Sequence, residues 1–328
     1  MDIDCGSPSS SSLPEQTQAS SSPMAMIQDD SSAFEHVGEI LSNMMRQEST
    51  IYKRINYLDR PHPTEAQNSE PIDGSWRQRI IEWMYGVVDH CSLKRESVAV
   101  ATFFLDLSAA KGLVLTRRDF QLVAMTSLML SIKLYDSTLV KLDSMVKLGR
   151  GLFDERDVIA TEMKMLKAMN WQVHPPTPVC FMRQFLRLLP RETTPIARYM
   201  IIELTRFISE ISTCLQKFLP ILPSTMAYAS ILIAMERIDA SALSVAERKQ
   251  FQANVQALSG IDLSTPDMTS TIDQLRATLD SNVNLQELLR TIDAQCSLGF
   301  NKPFEQEAGL QSKGEGPHSP RDVSSRVY

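Results

Sequence analysis

The cysteines and histidines are the first residues to weigh for chemistry, and their spacing argues against it. Cys5, Cys91, Cys180, Cys214 and Cys296 lie far apart, are odd in number and form no C-x-x-C pair. That pattern reads as reduced intracellular thiols rather than a disulfide or zinc framework. His36, His62, His90, His174 and His318 are equally scattered, so no metal site is expected. The chain has no G-x-G-x-x-G, Walker loop, G-x-S-x-G or H-E-x-x-H, so neither an enzyme activity nor a cofactor is expected. What stands out instead is a set of charges among apolar neighbours at helical spacing. Lys133 has Met129 and Leu130 at i−4 and i−3, and Glu162 has Val158, Ile159, Met165 and Leu166 at i±3 and i±4. Asp106 is bordered by Thr102, Phe103, Ala109 and Ala110. A charge on a mostly apolar helix face needs a partner from elsewhere. Two other readings stay open for Lys133: its own helix's last carbonyls, or Asp136 three residues on. For Glu162 the other reading is a solvated boundary position. The implied chemistry is ion pairing with groups brought from elsewhere.

Helices must position these groups. In 75–91 the residues Trp76, Ile80, Trp83, Met84 and Val87 recur at three- and four-residue steps, the period of a helix. The stretch 95–111 follows, with Gly112 as its stop. The stretch 116–136 opens on a capping-box-like Thr116-x-x-Asp119 and is apolar nearly all round, as a buried central helix should be. A short helix is expected at 141–148, and another at 154–171 with Asp154 as N-cap. One or two amphipathic helices are expected over 34–57. Consecutive prolines in His174-Pro175-Pro176-Thr177-Pro178 cannot continue a helix and mark a domain boundary. A second helical series is expected at 179–189, 194–216, 222–238, 244–259, 268–281 and 284–296. No stretch alternates like a strand, and only 12 Gly occur in 328 residues. The fold class is all-α.

Charge and composition sort the ends from the body. Residues 1–45 carry seven acids and no Lys or Arg, leaving 32 acids against 33 bases in the rest. A body so near neutral is not expected to bind nucleic acid through a basic field. No apolar stretch approaches the roughly 18 residues of a membrane span, and no secretory leader is read at the start. Ten Ser, three Pro and no aromatic residue in 1–32 give a composition that cannot supply a core. Disordered segments are expected at 1–33 and 297–328. Ser7-Pro8, Ser22-Pro23 and Ser319-Pro320 suit proline-directed kinases, so Ser7, Ser22 and Ser319 are candidate phosphorylation sites.

Four landmarks between Trp76 and Val173 resemble the cyclin box. Trp76-Arg77-Gln78-Arg79-Ile80-Ile81-Glu82-Trp83-Met84 is similar to its opening helix, and Phe103-Phe104-Leu105-Asp106 to its second. Gln121-Leu122-Val123-Ala124, continuing to Ser131-Ile132-Lys133, is similar to the central helix and its terminal Lys. The run from Glu162 to Val173 is similar to the fifth helix, leading into a Pro-Thr-Pro link. Phe218-Leu219 and Pro223-Ser224-Thr225-Met226-Ala227 more loosely resemble the second repeat. The resemblance covers roughly residues 35–290, and its departures, with the Ser-Pro-Arg tail, lean towards the expanded cyclin sets of diatoms.

The resemblance implies two tandem five-helix repeats, at 75–174 and 175–296, after a helical extension at 34–74. It implies a nuclear and cytoplasmic regulatory subunit that binds and activates a cyclin-dependent serine/threonine kinase and controls cell-cycle progression. Lys133 and Glu162 would bind the kinase beside its αC helix, and Arg77 and Asp106 would form a buried structural bridge. Trp76, Ile80, Trp83 and Gln121 would form a docking patch for kinase substrates or inhibitors, the other reading being that they are mostly core residues. Here Arg79 replaces an apolar residue of the pattern, and Leu134-Tyr135-Asp136 stands where an aromatic and two acids are common. The alternative from another class is a cyclin-fold transcription adaptor that binds promoter DNA or polymerase factors. Arg183-Gln184-Phe185-Leu186 fits an R-x-x-L degradation signal, but it sits in an expected helix and reads as core.

Overall fold

The computed structural model describes residues 23–59, 70–136 and 140–282, together with 284, 285, 287 and 290. Eleven α-helices and no strand occur among these described residues. A long α1 (Pro23–Thr50) is followed by five helices: α2 (Gly74–His90), α3 (Glu96–Ala110), α4 (Arg117–Tyr135), α5 (Leu142–Leu148) and α6 (Glu155–Ala168). Five more form the second repeat: α7 (Pro178–Leu186), α8 (Pro195–Cys214), α9 (Pro223–Glu236), α10 (Val245–Ser259) and α11 (Pro266–Asp280).

Local chemistry sets most of the helix starts. Thr116 and Asp119 close a capping box on α4, as Asp154 and Asp157 do on α6 and Ser244 and Glu247 on α10. Each box satisfies backbone donors that the first turn leaves unpaired. Thr177 and Thr194 cap α7 and α8, each with Pro in the first turn, where its missing N–H costs nothing. Gly260 ends α10 at φ 69, the left-handed conformation that glycine adopts without a Cβ clash.

Each repeat wraps a central helix. In the first, α4 is buried at Phe120 and continuously from Val123 to Ile132, with α3, α2 and α6 around it. Small residues let α3 approach, and the Ser131 hydroxyl donates to the Ser97 carbonyl at 2.7 Å. In the second, α9 is buried from Met226 to Met235, and α7, α8 and α11 pack on it. Phe185 of the Arg183–Leu186 stretch is fully buried in that core.

α1 departs from expectation in extent and in place. It is one helix that begins at Pro23 rather than at 34, so 23–33 of the expected disordered head are helical. Pro fixes the helical φ at a position that needs no donor, which makes it a natural first residue. The helix ends at Thr50, and 51–59 run on without helix. Although it precedes the first repeat in sequence, α1 packs on α7 and α10, and Val37 and Leu41 are buried in the second core. Glu48 continues that stripe. It is 2% exposed, and its carboxylate accepts from the backbone N–H of Ser224 at 3.0 Å and from the Ser224 hydroxyl, so it caps α9 from outside.

Polar ties cross between the repeats. Arg77 of α2 donates through Nη1 to the carbonyls of Thr213 and Cys214 at the end of α8, at 3.1 and 3.2 Å. Arg95, just before α3, pairs with Glu210 of α8 through Nε–Oε1 at 3.0 Å and Nη2–Oε2 at 2.6 Å. Glu96 of α3 pairs with Arg183 of α7.

Burial lifts the Glu48 carboxyl above the ordinary carboxylate range, and the Ser224 donors reverse this only in part. A carboxyl raised in the folded state stabilises least once it is ionised, so its contribution falls as pH rises. Glu48→Gln, with no charge to bury, is expected to gain on wild type as pH rises above the ordinary carboxylate range towards neutrality. Glu48→Ala leaves both Ser224 donors without an acceptor and is expected to cost about 1–3 kcal/mol at neutral pH. Urea unfolding across that range checks both, and an unchanged Glu48→Ala midpoint contradicts the cap.

Candidate partner-binding face

Lys133 and Glu162 are brought together. Lys133 ends the buried stretch of α4, and Glu162 lies mid-way along α6, which packs beside it. The Lys133 Nζ donates to both carboxylate oxygens, at 2.9 Å to Oε1 and 2.7 Å to Oε2. Each is thus the other's partner from a different helix. The carbonyl-serving reading of Lys133 and the solvated reading of Glu162 are not the arrangement observed. Asp136 turns elsewhere and accepts from the Lys94 backbone N–H at 2.8 Å.

The pair is open to solvent, with side chains 41% and 20% exposed. Apolar side chains around it are also left out of the core: Leu134 beside Lys133, and Ile159 and Met163 on α6 at three- and one-residue steps from Glu162. The end of α4 is held in place by Tyr135. Its hydroxyl donates to the Val173 carbonyl at 2.9 Å, and its ring meets His174 edge-on. A half-exposed ion pair contributes only about 0–1 kcal/mol, so it can be opened or shared at little cost. The face therefore offers one anion, one cation and an apolar surround.

The Arg77–Asp106 bridge is the opposite case. Arg77 is 2% exposed, and it grips the carboxylate with two parallel bonds of 2.8 Å, Nε to Oδ1 and Nη2 to Oδ2. The Tyr57 hydroxyl donates to the same Oδ1 at 3.0 Å. Burial alone would lower the Arg77 pKa, but Asp106 outweighs it and holds the guanidinium charged. Burial, then Asp106, pushes the Tyr57 hydroxyl far above its ordinary value, so it stays a donor.

Trp76, Ile80, Trp83 and Gln121 sit between core and surface. Ile80 is buried, while the two indoles and Gln121 are half-buried. The exposed Arg79 lies 5.7 Å from the Trp76 ring centroid, and the Arg117 guanidinium lies closer, at 4.5 Å. Arg117 also donates to the Pro71 carbonyl at 3.0 Å and pairs with Glu70. The patch is thus basic around its aromatic centre. Ser7, Ser22 and Ser319 lie outside the described residues. Among the described residues no group of His, Cys, Asp and Glu gathers as a metal site, and no helix is long and apolar enough to cross a membrane.

Sequence reasoning missed Glu48, Tyr57 and Arg117. The signal that selects Asp106, a charge continuing an apolar stripe, was present for Glu48 after Val37, Leu41 and Met45. Nothing local marks Tyr57 or Arg117, because their partners come from distant segments.

Family models decide the relationship. Residues 39–174 match the model of the cyclin N-terminal domain, and residues 176–295 that of the cyclin C-terminal domain. The chain belongs to the cyclin family. Among curated relatives, it is 24% identical over 136 residues to G2/mitotic-specific cyclin-2 of Medicago sativa, covering 42% of this cyclin and 41% of that protein. It is 25% identical over 200 residues to S-phase entry cyclin-5 of Saccharomyces cerevisiae, covering 61% and 43%. It is 25% identical over 201 residues to Cyclin-B2-2 of Oryza sativa subsp. indica, covering 61% and 44%. This cyclin therefore matches less than half the length of these relatives. A viral cyclin from herpesvirus saimiri shares its fold at TM-score 0.55 and 14% identity, with 72% of this chain and 96% of that one covered.

Breaking the buried bridge of this cyclin from one side leaves a charge uncompensated. Arg77→Ala or Asp106→Ala is expected to cost about 3–5 kcal/mol in urea unfolding, while Lys133→Ala costs about 0–1 kcal/mol. Equal losses at the two pairs would contradict this contrast.

Proposed function

We propose that this cyclin binds and activates a cyclin-dependent serine/threonine kinase, and so controls cell-cycle progression. The observation that carries the reading is the half-exposed Lys133–Glu162 pair with Leu134, Ile159 and Met163 exposed around it. A kinase is active only with its own Lys–Glu ion pair and activation loop in place. A rigid helical face that docks beside the mobile helix of the kinase supplies that positioning without a catalytic residue of its own. Such a face acts as a ligand that selects the active kinase conformation. On docking, Lys133 and Glu162 turn from each other to kinase backbone and side-chain groups, while the apolar surround is buried. The polar ties between the repeats support this role, because a face that selects a conformation must not yield to it.

The Trp76 patch is the proposed second contact, for kinase substrates or inhibitors. With Arg79 and Arg117 against the indole, a complementary segment carries an acid beside its apolar anchor.

Lys133→Ala with Glu162→Ala is expected to reduce co-purified kinase, and its activity, at least about tenfold, since charge pairs truncated at a desolvated interface cost about 2–5 kcal/mol. Helical content by circular dichroism should not change. Undiminished kinase recovery by the double variant would overturn the face. For the patch, the assembled complex should phosphorylate peptides with an acidic docking segment better than matched basic ones, and Arg79→Glu should reverse the order. No preference, or a basic one, would remove the patch assignment.

A further inference from the structure

After α1 the chain crosses the junction of the two repeats as an irregular segment, and it borders a cleft there. Lys53 and Arg54 of that segment line it together with Arg77 of α2 and Thr102 and Asp106 of α3. Exposed Lys53 and Ile55 mark where it opens to solvent. Three cations thus face one carboxylate, and both oxygens of that carboxylate are already engaged by Arg77.

Arg54 is left over. Its guanidinium makes no hydrogen bond among the described residues, and its Nε is shielded from solvent without a partner. Thr102 is only 4% exposed, and its hydroxyl is likewise unpartnered. Ser97, Ser108 and Ser127 also leave hydroxyls unpaired, but none of them lines the cleft. A buried guanidinium normally holds a planar acceptor in its fork, and an unpaired buried cation costs stability. Burial does lower the Arg54 pKa, with Asp106 and Glu48 only partly restoring it against Arg77.

We propose that this cleft binds a tetrahedral oxyanion of the phosphate type, held by Arg54 and Lys53 with the Thr102 hydroxyl as a third donor. Size supports an ion over a larger ligand. The cavity volume is about 30 Å³, far below the roughly 300–1,000 Å³ that organic ligands occupy, yet enough for two or so water-sized groups. Arg77 adds positive potential without giving up Asp106. The bound anion neutralises Arg54 and fastens the 51–59 segment to α2 and α3, at the place where Arg77 joins the two repeats. The same phosphoryl chemistry has two sources, the free ion or the side chain of a phosphorylated serine or threonine.

The test uses the full chain, without kinase, in chloride buffers of matched ionic strength. Inorganic phosphate at 10 mM, or a short phosphoserine peptide, is expected to raise the thermal unfolding midpoint by about 3 °C. Titration calorimetry should show binding weakened at least about tenfold in Arg54→Gln and, less strongly, in Thr102→Val. Without added anion, Arg54→Gln should be at least as stable as wild type, because it removes an unpaired charge; a merely structural Arg54 would make it less stable. A response to phosphate assigns the free ion, and a response only to the phosphopeptide assigns a peptide-borne group. A response to neither, or an equal response in Arg54→Gln, overturns the site. Kinase binding is not read in this experiment, so its outcome is independent of the Lys133–Glu162 face.

Discussion

The buried Arg77–Asp106 bridge is the interaction on which the remaining geometry depends. It fixes α2 against α3, and α3 in turn packs along the central helix α4. The same guanidinium reaches the last carbonyls of α8, so one side chain serves both the first repeat and the junction with the second. Carbonyls at a helix C-terminus lack partners within their own helix and carry partial negative charge. A buried cation there is stabilised twice, by the carboxylate and by the helix end. With Arg95–Glu210 and Glu96–Arg183 nearby, the junction is polar and specified by direction, unlike the two apolar cores it separates.

Burial, more than residue type, separates the roles of the charges in this molecule. Arg77 and Asp106 are buried and bonded to each other through two parallel hydrogen bonds, so the loss of either is costly. Lys133 and Glu162 make equally short contacts but keep water at hand, so a partner can take them over. Arg54 is half-buried beside the first pair, and no carboxylate is hydrogen-bonded to it among the described residues. The proposed contacts of this nearly neutral body thus rest on placed charges instead of a field.

Much of this was legible in the sequence, for physical reasons that name particular residues. The helix starts at Thr116 and Asp154 follow from capping chemistry within four residues, and the break between repeats follows from Pro175 and Pro176. Lys133, Glu162 and Asp106 were visible as charges on apolar stripes. The stripe rule says that a partner exists but not where it lies, so the pairing of Lys133 with Glu162, 29 residues on, needed the fold. Asp136 shows the converse: it is within helical reach of Lys133, yet the turn into α3 offers it a free backbone N–H at Lys94. Amphipathic period showed that α1 buries one face. It could not show that this face lies on the second repeat, because periodicity carries no address. Residues 51–57, which hold Arg54 and Tyr57, were expected to continue the amphipathic helix of 34–57, yet they run on without helix.

The face around Lys133 and Glu162 is the surface proposed to be covered by a kinase. Hydrogen–deuterium exchange of the full chain, alone and bound to its co-purified kinase, measures this directly. Protection concentrated at the end of α4 and along α6, from 133 to 135 and from 159 to 166, is the expected result. Protection confined to the Trp76 patch or to the second repeat, with α4 and α6 exchanging as in the free chain, would contradict it.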